Sequence, residues 1–283
     1  MKKTIVFDIG GTQSRIALFE NGQIVWRKQI TTPSQAGPDA TVDVMAQLFF
    51  ASNVAGHTDL AIGAAVTGHI VDGCVTAHNP DILRDWQRYP LQHRLAERIN
   101  HPVRLFNDAR AAAWGEYRFG TGQGFDEFLF LTVSTGVGAG LILGKRLHIA
   151  KNGFDAEIGE MKTDNGQTLE NRASGTALGL LAMQQGYENA KALCDAADQG
   201  DENADRIYQA SIREIARKLA DLAVMLGIQR VALGGSVGLR SGYLQRLRQE
   251  MASYPGIYQI DIVAAQLGHD AGLVGVADLV ITD

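Results

Sequence analysis

Three short glycine-rich segments and one Asn-Asp pair hold the residue types that could do chemistry. The first segment is Asp8-Ile9-Gly10-Gly11-Thr12. Glycine lets an anionic oxygen approach successive backbone N–H groups, and the Thr12 hydroxyl adds a donor. Asp8 is a candidate holder of Mg2+, directly or through water. The second segment, Ser134-Thr135-Gly136-Val137-Gly138, offers the same chemistry at Thr135, Gly136 and Gly138. Either segment alone reads equally well as a plain hairpin that needs glycine for its geometry. Together they can clamp one triphosphate from two sides. The third, Gly234-Gly235-Ser236-Val237-Gly238, lacks the GxGxxG spacing of a dinucleotide site. Backbone at Gly235 and Ser236 suits an adenine or ribose, and a strand-to-helix turn is the alternative. No GxxxxGK[ST] loop occurs.

Asn107-Asp108 stands before an alanine-rich stretch, with Trp114 and Glu116 beyond it. A carboxylate at a helix start is either an N-cap or, in phosphoryl transfer, the acceptor of the attacking hydroxyl's proton. Asn107 would then bind a substrate hydroxyl beside it. The acidic run Asp155-Ala156-Glu157-Ile158-Gly159-Glu160, with Glu170 further on, could grip the hydroxyls of a sugar or form a solvated loop.

The elements that must position these groups repeat. Residues 4–7 read as a buried strand that runs into the first glycine turn. A second strand, 14–20, ends at Asn21-Gly22, a strong two-residue hairpin signal, and a third covers 24–29. The same order returns with strands at 128–133, 140–143 and 146–149, turning at Gly144-Lys145. A repeat of this kind points to two α/β halves, each opening on a meander. Helices are expected at 40–50, 90–99, 108–119, 175–185, 190–197, 204–226 and 271–280. Further strands are expected at 60–66, 103–106, 230–233 and 260–264.

The bulk numbers narrow the class. The chain has 283 residues, enough for two domains. Its net charge of −5 gives no basic footprint for nucleic acid or an anionic membrane. The apolar stretch at the N-terminus is too short for a signal peptide, and no run reaches the length of a membrane span. A cytoplasmic location is therefore expected. Cys74 and Cys194 are too few for a zinc site by themselves and read as reduced thiols.

Taken together, Asp8–Thr12, Asn107–Glu116, Ser134–Gly140, Glu157-Ile158-Gly159, Ala173-Ser174-Gly175, Gly234–Gly238 and His269-Asp270-Ala271-Gly272-Leu273 resemble the ROK (repressor, open reading frame, kinase) sugar kinases. They occur in the family's order along nearly the whole chain. The resemblance implies an α/β fold of the two-domain actin-like ATPase (ribonuclease H-like) type, with the active site in the interdomain cleft. The expected domains are 1–107 plus 268–283, and 108–267. Asp108 would be the general base on a sugar 6-hydroxyl. Asn107, Glu157 and Glu170 would hold the sugar, with Gly68 and Asn79 on its far side. Mg2+ and ATP would lie across Asp8, Gly10, Gly11, Thr12, Thr135, Gly136, Gly138, Gly235 and Ser236. The expected substrate is an amino sugar, N-acetylmannosamine first, on a route of sialic acid degradation; glucose and N-acetylglucosamine are the alternatives. A homodimer is implied as well. A sugar-sensing protein without catalysis and a structural actin-like ATPase are weaker readings. One departure stands out: most of the family carries a histidine and a cysteine cluster for structural zinc just before the position of Glu170. The stretch 160–170 here has neither residue type. Zinc is therefore not expected, and Glu160 stands where relatives have a histidine that also touches the sugar.

Overall fold

The computed structural model describes residues 3–52, 54, 59–77 and 83–282. Asn79 lies outside the described residues. The chain divides into two compact units, Met1–Gly115 with Ile149–Phe154 and Asp270–Asp283, and Glu116–His148 with Asp155–His269.

The first unit is built on β1 (Lys3–Ile9), β2 (Gln13–Glu20) and β3 (Gln23–Thr31), followed by α1 (Pro38–Phe50) and β4 (Leu60–Val66). A small hairpin, β5 (His69–Val71) and β6 (Cys74–Thr76), leads to α2 (Leu91–Ile99), β7 (Arg104–Asn107) and α3 (Asp108–Phe119). The sheet order is β3-β2-β1-β4-β7. The first three strands form an antiparallel meander, and β4 and β7 add in parallel. The Asn21-Gly22 turn has positive φ at both residues, 54° and 77°, as a two-residue hairpin matched to strand twist requires. Ile5, Phe7, Ile9 and Ile16 are fully buried with Met45 and Phe49 of α1 and Trp86 in one core.

The second unit repeats this plan. Its sheet contains β8 (Phe128–Val133), β9 (Val137–Leu143), β10 (Arg146–Leu147), β11 (Arg230–Gly234) and β12 (Asp261–Ala264), in the order β10-β9-β8-β11-β12. Again three strands form a meander and two add in parallel. The turn at Gly144-Lys145 has φ of 54° and 68°, the same two-residue geometry as the first. Its helices are α4 (Glu170–Ala173), α5 (Gly175–Gln184), α6 (Ala190–Asp198), α7 (Glu202–Leu226) and α8 (Tyr243–Ala252). Ile212, Ile215 and Leu219 of α7 are fully buried against the sheet residues Leu131 and Leu233. β9 begins at Val137, earlier than expected, because the glycines read as turn already pair with β8. Cys74 and Cys194 are free thiols, and burial pushes the Cys194 thiol up from its ordinary value.

The chain ends in α9 (Ala271–Thr282), which packs on β1 and β4 of the first unit. A Cβ on Gly275 would collide with the Ala111 carbonyl of α3, and one on Gly115 would collide with the Ala271 carbonyl. Glycine at these two crossings lets α3 and α9 approach backbone to backbone. Trp114 Nε1 also donates to Asp278 Oδ2 at 2.8 Å. The division between units thus falls inside α3, not at the 107/108 boundary expected from sequence, and Asp108 belongs with the first unit. The strap Ile149–Phe154, which the sequence assigned to the second half, packs with the first unit too.

A methyl group at the helix crossing has nowhere to go. Gly275→Ala is expected to lower stability by about 1–3 kcal/mol, the usual range for overpacking. Gly256→Ala, where a Cβ would meet nothing within 4 Å, should stay within about 0.5 kcal/mol of wild type. Denaturant midpoints of the two variants measure the contrast.

Candidate active site

In the first unit, β4 and β7 run parallel with Val66 beside Asn107, so the turn after β4 meets the start of α3. Asn107 is buried, and its two amide ends are both used. Nδ2 donates to the Gly68 carbonyl at 3.1 Å, and Oδ1 accepts from Arg110 N at 3.1 Å. The second contact is an N-cap bond, so Asn107, not Asp108, caps α3. Asp108 Oδ1 accepts from Ala109 N at 2.8 Å, which holds its half-buried carboxylate on the first turn. A second hydrogen on Asn107 Nδ2 and a second lone pair on its Oδ1 keep donor and acceptor capacity for a ligand. Gly68 has φ of 111°, and a Cβ there would stand 2.6 Å from the Thr76 carbonyl, so glycine is required.

The first glycine turn is braced from below. Gly10 N donates to Gln13 O at 3.1 Å, Thr32 Oγ1 donates to Gly10 O at 2.7 Å, and Thr32 N donates to Thr12 O at 2.9 Å. Gly11 is half-buried and Thr12 is exposed. Asp8 faces Arg15 across the β1–β2 ladder. Arg15 Nε donates to Asp8 Oδ2 at 3.0 Å, and Nη2 contacts the same oxygen. Arg15 also reaches Asp270 Oδ1 at 3.5 Å, and Arg27 reaches Asp270 Oδ2 at 3.2 Å. No role was read for Arg15 in the sequence, although its place opposite Asp8 in a hairpin of known register could have revealed it.

In the second unit, the three expected groups converge. Ser134 N donates to Gly136 O at 2.9 Å and shapes the turn. Val137 N donates to Glu170 Oε2 at 3.0 Å, and a Cβ on Gly136 would approach that same oxygen to 2.5 Å. Gly159 packs so closely that a Cβ would collide with the Val137 carbonyl, which brings the Glu157-Ile158-Gly159 turn to the same place. Gly138 pairs with Thr132 in the ladder. Gly235, with φ of 85°, lies against the Val133 carbonyl, which accepts from Val237 N and Gly238 N at 3.0 Å each. Ser236 is exposed. Helix α5 starts here as well: Gly175 N donates to Ser134 O at 2.7 Å, Thr176 Oγ1 donates to Thr135 O at 2.8 Å, and Ser174 Oγ caps through Ala177 N at 3.1 Å. The positive end of a helix thus stands at the second glycine turn. Thr176 carried no sequence signal of its own.

The stretch from Glu160 to Glu170 is held by hydrogen bonds. Leu169 N donates to Met161 O and Thr163 N to Gln167 O, each at 2.9 Å. Thr163 Oγ1 lies 2.7 Å from Asn165 Oδ1, and Gln167 N donates to that oxygen at 3.1 Å. Glu160 is exposed at the end of a single 3-10 turn. Among the described residues no group of three or more His, Cys, Asp or Glu side chains is arranged to hold a metal ion. Buried Glu116 is structural: it accepts from Leu267 N at 2.6 Å and Thr121 N at 3.1 Å.

Removal of the Glu170 carboxylate should loosen the second turn. Glu170→Ala is expected to speed amide exchange at Val137 roughly fivefold, the effect of losing about 1 kcal/mol of hydrogen bonding. The first turn, Gly10–Thr12, should exchange as before. Hydrogen exchange followed by mass spectrometry reads both.

This geometry has close parallels. The family model described as "ROK family" matches residues 4–283. An N-acetylmannosamine kinase of Escherichia coli O127:H6 is 37% identical, over 97% of this chain and 97% of that protein. A bifunctional enzyme NanE/NanK of Brucella melitensis biotype 1 is 36% identical over 98% of this chain, which spans only 54% of that longer protein. Among solved structures, a ROK family glucokinase from Streptomyces griseus, in complex with glucose and AMPPNP, superimposes with a TM-score of 0.80 at 31% identity, covering 98% of each chain. The chain therefore belongs to the ROK family and shares the fold of its sugar kinases.

Proposed function

We propose that the chain transfers the γ-phosphoryl group of ATP to the 6-hydroxyl of an N-acylhexosamine, with N-acetylmannosamine as the acceptor. The observation that carries this reading is the division of labour at α3. Asn107 caps the helix, and Ala109 N holds the Asp108 carboxylate on its first turn, the position proposed for the general base. The acceptor's identity is supported by relatives named N-acetylmannosamine kinase, at 34–37% identity over nearly the full chain. The glucose-bound neighbour supports glucose as the second acceptor to be tested.

Phosphoryl transfer asks the protein mainly for position and for stabilisation of charge. Asp108 orients the 6-hydroxyl and takes its proton as the O6–Pγ bond forms and the bond from Pγ to the bridging oxygen of ADP breaks. Asn107, Glu157 and Glu170 hold the sugar hydroxyls, with Gly68 on the far side; Glu160 is exposed and contributes least. Backbone donors at Gly11 and Gly136, with the hydroxyls of Thr12 and Thr135, bind the phosphates, and Gly10 and Gly138 shape the two turns. The N-terminus of α5 adds positive potential there. Gly235 and Ser236 border the nucleoside. Arg15 holds Asp8 by Oδ2, and Asp8 would hold Mg2+, directly or through water. The ion would supply charge neutralisation at the phosphates. A homodimer and a cytoplasmic location complete the proposal and rest on the sequence expectations.

Asp108→Asn should lower kcat by about 10²–10⁴-fold, the usual contribution of a general base. Its sugar affinity, read by calorimetry, should persist. Near-normal turnover in that variant overturns the assignment. Turnover of N-acetylmannosamine, N-acetylglucosamine, glucose and mannose by the wild-type chain, measured as ADP release, ranks the acceptors.

A further inference from the structure

The strap Ile149–Phe154 is anchored to the first unit by three separate devices. Arg110 Nη2, from a side chain that is almost fully buried, donates to the Gly153 carbonyl at 2.7 Å. His69 Nε2 stands 2.8 Å from the Asn152 carbonyl, and because a carbonyl only accepts, Nε2 carries the proton. Gly153, with φ of 76°, lies so close to β5 that a Cβ would stand 2.6 Å from the Ile70 carbonyl and 2.7 Å from His69 Nε2. Within the strap, Gly153 N donates to Ala150 O at 2.9 Å, and Phe154 N donates to Asn152 Oδ1 at 3.1 Å.

The result of this anchoring is the pose of one side chain. The Phe154 ring stacks on His69, with centroids 3.9 Å apart and planes inclined by 17°. Yet Phe154 is 55% exposed. A large ring fixed on one face and open on the other is not serving a core. The residues that anchor it neighbour, along the chain, groups assigned to the acceptor. His69 follows Gly68, whose carbonyl binds Asn107, and Arg110 lies two positions after Asp108 on α3.

We propose that the open face of Phe154 is a stacking platform for the C–H face of the hexose acceptor, and that His69 fixes the ring in that pose. This inference rests on the sugar-kinase reading above. A pyranose presents axial C–H bonds on one face, and a flat aromatic ring offers them contact area at little cost in conformational entropy, because Phe has two side-chain torsions and here both are held. Asp108 supplies the polar contact to the reacting hydroxyl, and Phe154 supplies an apolar surface that a loop of hydroxyl-binding carboxylates lacks.

The test uses Phe154→Ala, Phe154→Leu, Phe154→Tyr and His69→Ala in the full chain. Sugar KM and kcat are read by ADP release, sugar Kd by calorimetry, and folding by the thermal midpoint. Phe154→Ala should raise sugar KM and Kd about tenfold, as expected for loss of one aromatic contact, with KM for ATP and the thermal midpoint unchanged. Phe154→Tyr should stay within about twofold of wild type, because the flat ring persists. Phe154→Leu should remain as weak as Phe154→Ala, since it restores apolar area without the ring. His69→Ala should weaken sugar binding in wild type and have no further effect in the Phe154→Ala background. Wild-type sugar affinity in Phe154→Ala, or full recovery by Leu, overturns the platform while leaving the kinase intact. A wild-type chain that phosphorylates no hexose overturns the kinase reading and the platform with it.

Discussion

The contact on which the first unit depends is the crossing of α3 and α9 without side chains between them. Gly275 meets the Ala111 carbonyl and Gly115 meets the Ala271 carbonyl. Packing at this range fixes a helix more tightly than interdigitated side chains do, because no rotamer can relax a backbone collision. The consequence for chemistry is direct. Asp108 is the first residue of α3, so any axial slip of that helix moves the carboxylate. Asn107 and the Gly68 carbonyl fix the same end of the helix from the strand side. The general base proposed at Asp108 would need both: a helix that does not slide and a cap supplied by a separate residue.

The second unit solves a different problem with the same meander. Its glycine turn is followed by β9 rather than by a helix, so the turn has no dipole of its own to offer an anion. Helix α5 supplies one from elsewhere in the chain, through Gly175 and Thr176 on the carbonyls of Ser134 and Thr135. Glu170 completes the arrangement from the opposite side. Its carboxylate holds the Val137 amide, so a residue expected to grip sugar also shapes the turn expected to grip phosphate.

Much of this was legible in the sequence because it is local. The Asn21-Gly22 and Gly144-Lys145 turns announce hairpins through residues that tolerate positive φ, with an apolar strand before each. The helix at Asp108–Phe119 follows from its alanines and its polar start. Helix α8 escaped notice although Tyr243, Leu247 and Met251 repeat every four residues on its buried face, because Arg246, Arg248 and Glu250 dominate its composition. The β5–β6 hairpin is too short for alternation to register. Contacts such as Arg110 to Gly153 and Val137 to Glu170 span 43 and 33 residues. No local pattern encodes them, since they exist only after two sheets have set the neighbours. The same holds for the strap at Ile149–Phe154, whose membership in the first unit is a fact of packing and not of position along the chain.

The charges around Asp8 show why a carboxylate beside a phosphate site needs partners. Asp8 is largely shielded, with its side chain 18% exposed, and an anion facing an anionic ligand in such a place would repel it. Arg15 answers on the neighbouring strand, and its contact with Asp270 ties the turn to the N-terminus of α9. Arg27 then neutralises Asp270 from β3. Surface pairs of this type add only about 0–1 kcal/mol each, so stability is a poor explanation for the chain of four. Position is a better one. The alternating charges fix the Asp8 carboxylate by its Oδ2 edge and leave the site close to neutral before a ligand arrives. They also join the first glycine turn to the helix that fixes Asp108. The first glycine turn and Asp108 are thus both tied to α9, and a reaction of the kind proposed, which depends on their relative placement, would need such a common reference.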